Sequence, residues 1–135
     1  GNVRHEMVDE IHWVGALPAY AMAHALFREH GLFMGPTSGA AALVASWFAR
    51  HNAEASTLVI MPDAGHRHAD TVYDDAWLSA LDGWPVPAPT HPIEQDRILP
   101  GGPELQRLHM DSPGAGAAAS NAIDEGGITH GGNLL

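Results

Sequence analysis

At 135 residues, 45% of them hydrophobic, the chain is long enough to bury one core, and its formal net charge of −10 argues against nucleic acid or an anionic membrane as a partner. The absence of cysteine excludes a disulfide framework and a thiolate zinc site. No apolar run approaches a membrane span and the N-terminus does not read as a signal peptide, so the cytoplasm is the expected compartment.

In chain order, Met7–Val14 (MVDEIHWV) sets Val8, Ile11 and Val14 among acids and is predicted to be a strand. Leu17–His30 (LPAYAMAHALFREH) follows as a helix. Pro18 suits a first turn, Ala21, Ala25, Leu26 and Arg28 are good helix formers, and Gly31 is placed to end it. Tyr20, Met22 and Phe27 are expected to pack into the core. Gly31–Arg50 (GLFMGPTSGAAALVASWFAR) then gives a short apolar run, a rigid Gly35-Pro36 turn and a second helix reaching about His51, with Asn52 as its stop. Pro36 fixes its own φ and biases Gly35 away from the helical region, which places the Thr37 hydroxyl at the expected N-cap. Gly39 and the three alanines after it leave the first turn nearly bare, so another backbone or a flat ligand can approach. Bulk returns at helical spacing with Leu43, Val44, Trp47 and Phe48.

Thr57–Met61 (TLVIM) is an unbroken apolar run, predicted to be a strand covered on both faces in a parallel sheet and ended by Pro62. Asp70–Leu81 is predicted to be a third helix, capped at Asp70, acidic early at Asp74 and Asp75, and docked through Val72, Trp77 and Leu81. This alternation predicts an α/β fold with a largely parallel sheet. Two strands are too few for a self-sufficient sheet, so the piece is expected to need the rest of its domain. A boundary falls after Gly83. Residues 1–83 form the α/β segment, and 84–135, rich in proline and glycine, an irregular arm and then a disordered tail, with Ile98-Leu99 and Leu105–Met110 able to dock locally. His66 and His68 alternate near Asp63 and Asp70, but two histidines on a loop make no zinc site without a third ligand fixed by the fold, and no metal is expected. All six basic residues are arginines, so the sequence contains no lysine.

Two motifs carry a family resemblance: the Thr37-Ser38-Gly39-Ala40 turn opening a helix, and the apolar run of Thr57–Thr71 closed by Pro62, Asp63, Gly65 and Arg67. In this order, separated by one helix, they resemble the C-terminal part of the cysteine synthase and cystathionine β-synthase family, the fold type II enzymes that use pyridoxal 5'-phosphate. The resemblance covers Val8 to Trp77. It implies part of a three-layer, largely parallel sheet domain, and β-replacement or β-elimination in which an activated serine and a nucleophile give cysteine or a related amino acid. It further implies cofactor-binding roles for Thr37, Ser38, Pro62 and Asp63. Thr37, where most relatives place Ser, would contact the pyridine nitrogen, with Ser38 as the neighbouring alternative. The Pro62-Asp63 turn would lie near the ring, with Asp63 either touching the cofactor or capping the Gly65 turn. Arg67 is expected to make a structural ion pair or a backbone contact. The family holds its cofactor on a lysine, which this chain lacks. It is therefore expected to be the last part of a longer enzyme, with no catalytic residue of its own and no activity alone. The expected partners are a small amino-acid substrate, the remainder of the parent enzyme and a second copy in a homodimer. The alternative is a truncated, lysine-free remnant acting as a non-catalytic protein-binding module.

Overall fold

A computed structural model of the chain describes residues 7–87, 89–99 and 104–110. It is a mixed α/β structure of three strands and three helices: β1 (Glu10–Val14), α1 (Ala16–His30), α2 (Pro36–His51), α3 (Asp75–Ser79), β2 (Ile93–Glu94) and β3 (Leu105–His109). These residues fall into two compact units, one running from Val14 to Pro92 and the other built from the segments on either side of it.

The Val14–Pro92 unit is organised by α1 packed on α2. Gly31 ends α1 in the left-handed region at φ 68°, where its N–H donates to the Phe27 carbonyl and that of Leu32 to Leu26, as expected of a glycine closing a helix. The two helices approach closely because Gly39 has no side chain: a Cβ there would lie 2.2 Å from the Ala19 carbonyl oxygen and 2.9 Å from the Ala23 nitrogen. The bare first turn of α2 is thus filled by the α1 backbone on this side. Ala19, Ala23 and Leu26 of α1 and Ala42, Leu43 and Trp47 of α2 are buried. Tyr20 and Met22 are half-buried, whereas Phe27, expected in the core, is 46% exposed and packs one side of its ring against Phe33 and Tyr73.

Two expectations give way here. Thr57–Met61 is not a strand among the described residues: Leu58 is 91% and Ile60 78% exposed, while Val59 and Met61 are half-buried. A strand is defined by its neighbours, and the described residues of this unit offer this run none. The third helix does not start at Asp70. Gly65–His68 forms a short 3-10 turn, and α3 begins at Asp75, capped by the Asp74 carboxylate accepting from the Trp77 N–H at 2.7 Å.

The other unit is a three-stranded mixed sheet in the order β1-β3-β2. β2 runs parallel to β3, with Ile93 opposite Gln106 and Glu94 opposite Arg107. The Met110 N–H donates to the Asp9 carbonyl, bringing the end of β3 to the start of β1. Residues expected to dock locally therefore supply a strand with its own core, in which Ile98 and Leu108 are buried with Ile11 and Met110 packed against them. Gln106, also buried, satisfies its amide on the Leu99 backbone, accepting at 2.9 Å and donating at 3.0 Å. Glu10 gathers charge across the strands: His12 at 3.0 Å, His109 at 3.5 Å and Arg107 at 3.8 Å, with Arg107 also paired to Glu94. The three-layer parallel arrangement is not seen, and of the arm and tail expected over 84–135, residues 88, 100–103 and 111–135 lie outside the described residues. No helix among the described residues is long and apolar enough to cross a membrane.

Candidate functional site

The four residues singled out from sequence meet at one corner of the Val14–Pro92 unit. Residues 33–35 run antiparallel to residues 63–65: the Gly35 N–H donates to the Asp63 carbonyl and the Gly65 N–H to the Phe33 carbonyl, both at 3.0 Å, around a bridge between Met34 and Ala64. Both glycines are required by close approach. A Cβ on Gly65 would press into the Phe33 ring, and one on Gly35 would lie 2.2 Å from the Asp63 carboxylate. Tyr73 holds the same strip from the other side, its hydroxyl donating to the Met34 carbonyl at 2.6 Å and its ring 4.6 Å from that of Phe33.

This packing aims the Asp63 carboxylate at the start of α2. The N-cap position is Gly35, not Thr37. Gly35 has no side chain to cap with, and Pro36 in the first turn has no N–H. The next two amides are satisfied from a distance. Thr37 N–H donates to Asp63 Oδ2 at 3.1 Å, and Ser38 donates to Oδ1 through its N–H at 2.7 Å and its hydroxyl at 2.5 Å. Asp63 thus caps α2 rather than the Gly65 turn. Burial pushes its carboxyl up, but the hydrogen bonds from Ser38 and Thr37 outweigh it and hold the group below its ordinary value. His68 Nε2 lies 3.8 Å from Oδ2.

The two hydroxyls end in different surroundings. Ser38 is fully buried and its hydroxyl is engaged with the Asp63 carboxylate and backbone. Thr37 and Pro62 are exposed. Arg67 is exposed and pairs with no carboxylate among the described residues, so of the ion pair or backbone contact expected of it the ion pair is not seen, and His66 lies edge-on to Phe33. Sequence reasoning missed Tyr73, and weighed His68 beside Asp63 only as a metal ligand. A usable signal for the long-range cap was nevertheless present: a helix opening on Gly-Pro has no capping side chain of its own and needs a carboxylate from elsewhere.

Fold and corner define a mixed α/β protein with a single exposed hydroxyl mounted on a tightly held helix start. The chain is similar to the O-ureido-L-serine synthase of Streptomyces lavendulae, at 31% identity over 91 residues that cover 61% of the chain and 28% of that protein. It is also similar to the N-(2-amino-2-carboxyethyl)-L-glutamate synthases of Cupriavidus metallidurans, at 34% identity covering 55% of the chain and 23% of that protein, and of Ralstonia nicotianae, at 31% covering 55% and 22%. The chain thus spans less than a third of the length of these curated relatives, all of them synthases by name. No family model matches it, and no solved structure does.

Proposed function

We propose that the chain is the C-terminal part of a cysteine synthase-like enzyme that uses pyridoxal 5'-phosphate to join an activated serine to a nucleophile. In the parent, the α/β segment would complete a three-layer, largely parallel sheet. The observation that carries this reading is the Thr37 corner: one exposed hydroxyl on a backbone fixed by Asp63, Ser38 and Gly35. The relatives support it at the level of amino-acid-forming synthases.

The donor set fits the nitrogen edge of a pyridine ring and does not fit a phosphate, because the two α2 amides that would hold an anion already serve Asp63. When bound, the cofactor supplies the electron sink for bond breaking at the substrate's α-carbon. Thr37 would meet the ring nitrogen. Ser38 and Asp63 would hold Thr37 in place, and Pro62 would border the ring. The lysine and the phosphate-binding loop would come from the remainder of the parent enzyme, the small amino-acid substrate would bind against both, and the parent would act as a homodimer.

A titration of the 15N-labelled chain with pyridoxine 5'-phosphate tests the contact without needing the lysine. Amide shifts are expected at Gly35, Thr37 and Ser38, and Thr37→Ala should abolish them. A spectrum unchanged at these positions at millimolar probe would overturn the reading.

A second reading, a non-catalytic protein-binding module, is favoured by one observation: the apolar run at 57–61 exposes Leu58 and Ile60. The two separate on the coding sequence upstream of Gly1. A lysine-bearing strand–loop–helix there supports the enzyme, and a start codon directly before Gly1 supports the module.

A further inference from the structure

We propose that the charged face of the three-stranded sheet is a pH-operated latch, which holds β1 on β3 at neutral pH and releases β1 in acid while β2 stays paired with β3. The device belongs to the sheet unit and is independent of the Thr37 corner.

Successive side chains of a strand point to opposite faces. Ile11 and Leu108 turn into the small core, while Glu10 and His12 of β1 share the other face with Arg107 and His109 of β3. Glu10 is the junction of that face. Its Oε2 lies 3.0 Å from His12 Nε2, and its Oε1 faces His109 Nδ1 at 3.5 Å and Arg107 Nη1 at 3.8 Å. On its far side Arg107 pairs with Glu94 of β2, which stands opposite it in register. Glu94 and Asp96 also line a cavity with Arg107 and His109, so the charges that β2 and the turn after it present to β3 are acidic.

With both imidazoles neutral, β1 presents one negative charge to one positive charge on β3. With both protonated, Glu10 and His12 cancel on β1, whereas Arg107 and His109 give β3 two positive charges. The attraction between β1 and β3 is then lost, and the His12 cation faces two others across the strands. The attraction between β3 and the acids of β2 grows. Acid thus moves the tie from one side of β3 to the other. His12 senses the change, because only 12% of its side chain is exposed. Burial pushes its imidazole below the ordinary value against the pull of Glu10, and Arg107 and His109 add to the push. Once β1 is released His12 returns to water and takes up a proton more readily. Release is therefore favoured as pH falls from about 6.5 through the lower value in the sheet.

The test compares two backbone hydrogen bonds of the full chain by amide hydrogen exchange, each rate corrected for its intrinsic dependence on pH. The Met110 N–H donates to the Asp9 carbonyl and reports on β1, while the Gln95 N–H donates to the Arg107 carbonyl and reports on β2. Between neutral pH and mild acid the protection of Met110 should fall about fivefold, the size of one cross-strand charge pair, while that of Gln95 holds or rises. In a chain carrying both His12→Gln and His109→Gln, Met110 should be protected equally at the two pH values. Loss of protection at Met110 and Gln95 together would mean that the sheet loosens as a whole, and would overturn the latch. So would a Met110 amide that does not respond to pH, or one that responds as strongly in the double variant. The comparison of the two amides is made in the unsubstituted chain, so a folding defect in the variant does not decide the matter.

Discussion

Asp63 is three bonds from its own backbone and a whole helix away in sequence from the amides it serves, so its effects should be measurable one atom at a time. Donors from Ser38 and Thr37 hold its carboxyl below the ordinary 3.8 against the opposing push of burial. The unfolded chain therefore binds the proton more readily, and the stability Asp63 contributes is complete above about pH 4 and drains away as pH falls through the lower folded value. Asp63→Asn should cost about 1 kcal/mol at neutral pH, as loss of a helix cap does. It should also flatten the acid limb of a melting-temperature profile; an unchanged limb would show that the carboxylate is not the titrating cap. Gly35→Ala attacks the same link sterically. Its new Cβ would fall 2.2 Å from Asp63 Oδ2 and 2.5 Å from Cγ, so the carboxylate must leave. The expected loss is about 1–3 kcal/mol with amide shifts at Thr37 and Ser38, and a wild-type melt would count against the cap.

Among the elements, those legible in the sequence are the ones decided locally. α1 and α2 appear within a residue or so of their expected ends because propensity, Gly31, Pro36 and Asn52 all act over one turn. Thr57–Met61 was misjudged because a strand depends on partners that composition cannot supply, and α3 because Asp74 rather than Asp70 provides the cap. At the candidate site, Thr37, Ser38 and Asp63 are singled out by motif, and the three meet. The direction of the meeting, a carboxylate reaching back to a helix start, depends on the pairing of residues 33–35 with 63–65 and was not legible locally. The contact of α1 with α2 gives its own prediction. Gly39→Ala drives a methyl into the Ala19 carbonyl and should destabilise the helical unit by about 1–3 kcal/mol, read by circular dichroism during denaturation. In the sheet unit, burial holds the His12 imidazole below 6.5, with its Glu10 hydrogen bond opposing. Unfolding then takes up a proton, so stability should fall as pH drops from about 6.5 through the lower folded value. His12→Gln should remove that slope, and an unaltered slope would assign it to another group.

For the molecule as a whole, the exposed run at 57–61 is expected to govern its association in solution. Leu58 and Ile60 are both exposed in a segment without charge, a surface that promotes association. Sedimentation should show mass rising with concentration, and Leu58→Lys with Ile60→Lys should return it to that of a single chain. If the double variant associates as before, another surface is responsible. The bridge between residues 33–35 and 63–65 has a consequence in time as well as in space. Its two amides, Gly35 and Gly65, are protected only once α2 has formed and the chain has doubled back, so they depend on closing a long loop rather than on any single turn. In native-state hydrogen exchange they should trade their protons for deuterium at one common rate, sooner than the amides inside α1 and α2, because a two-bond clasp opens without unwinding either helix.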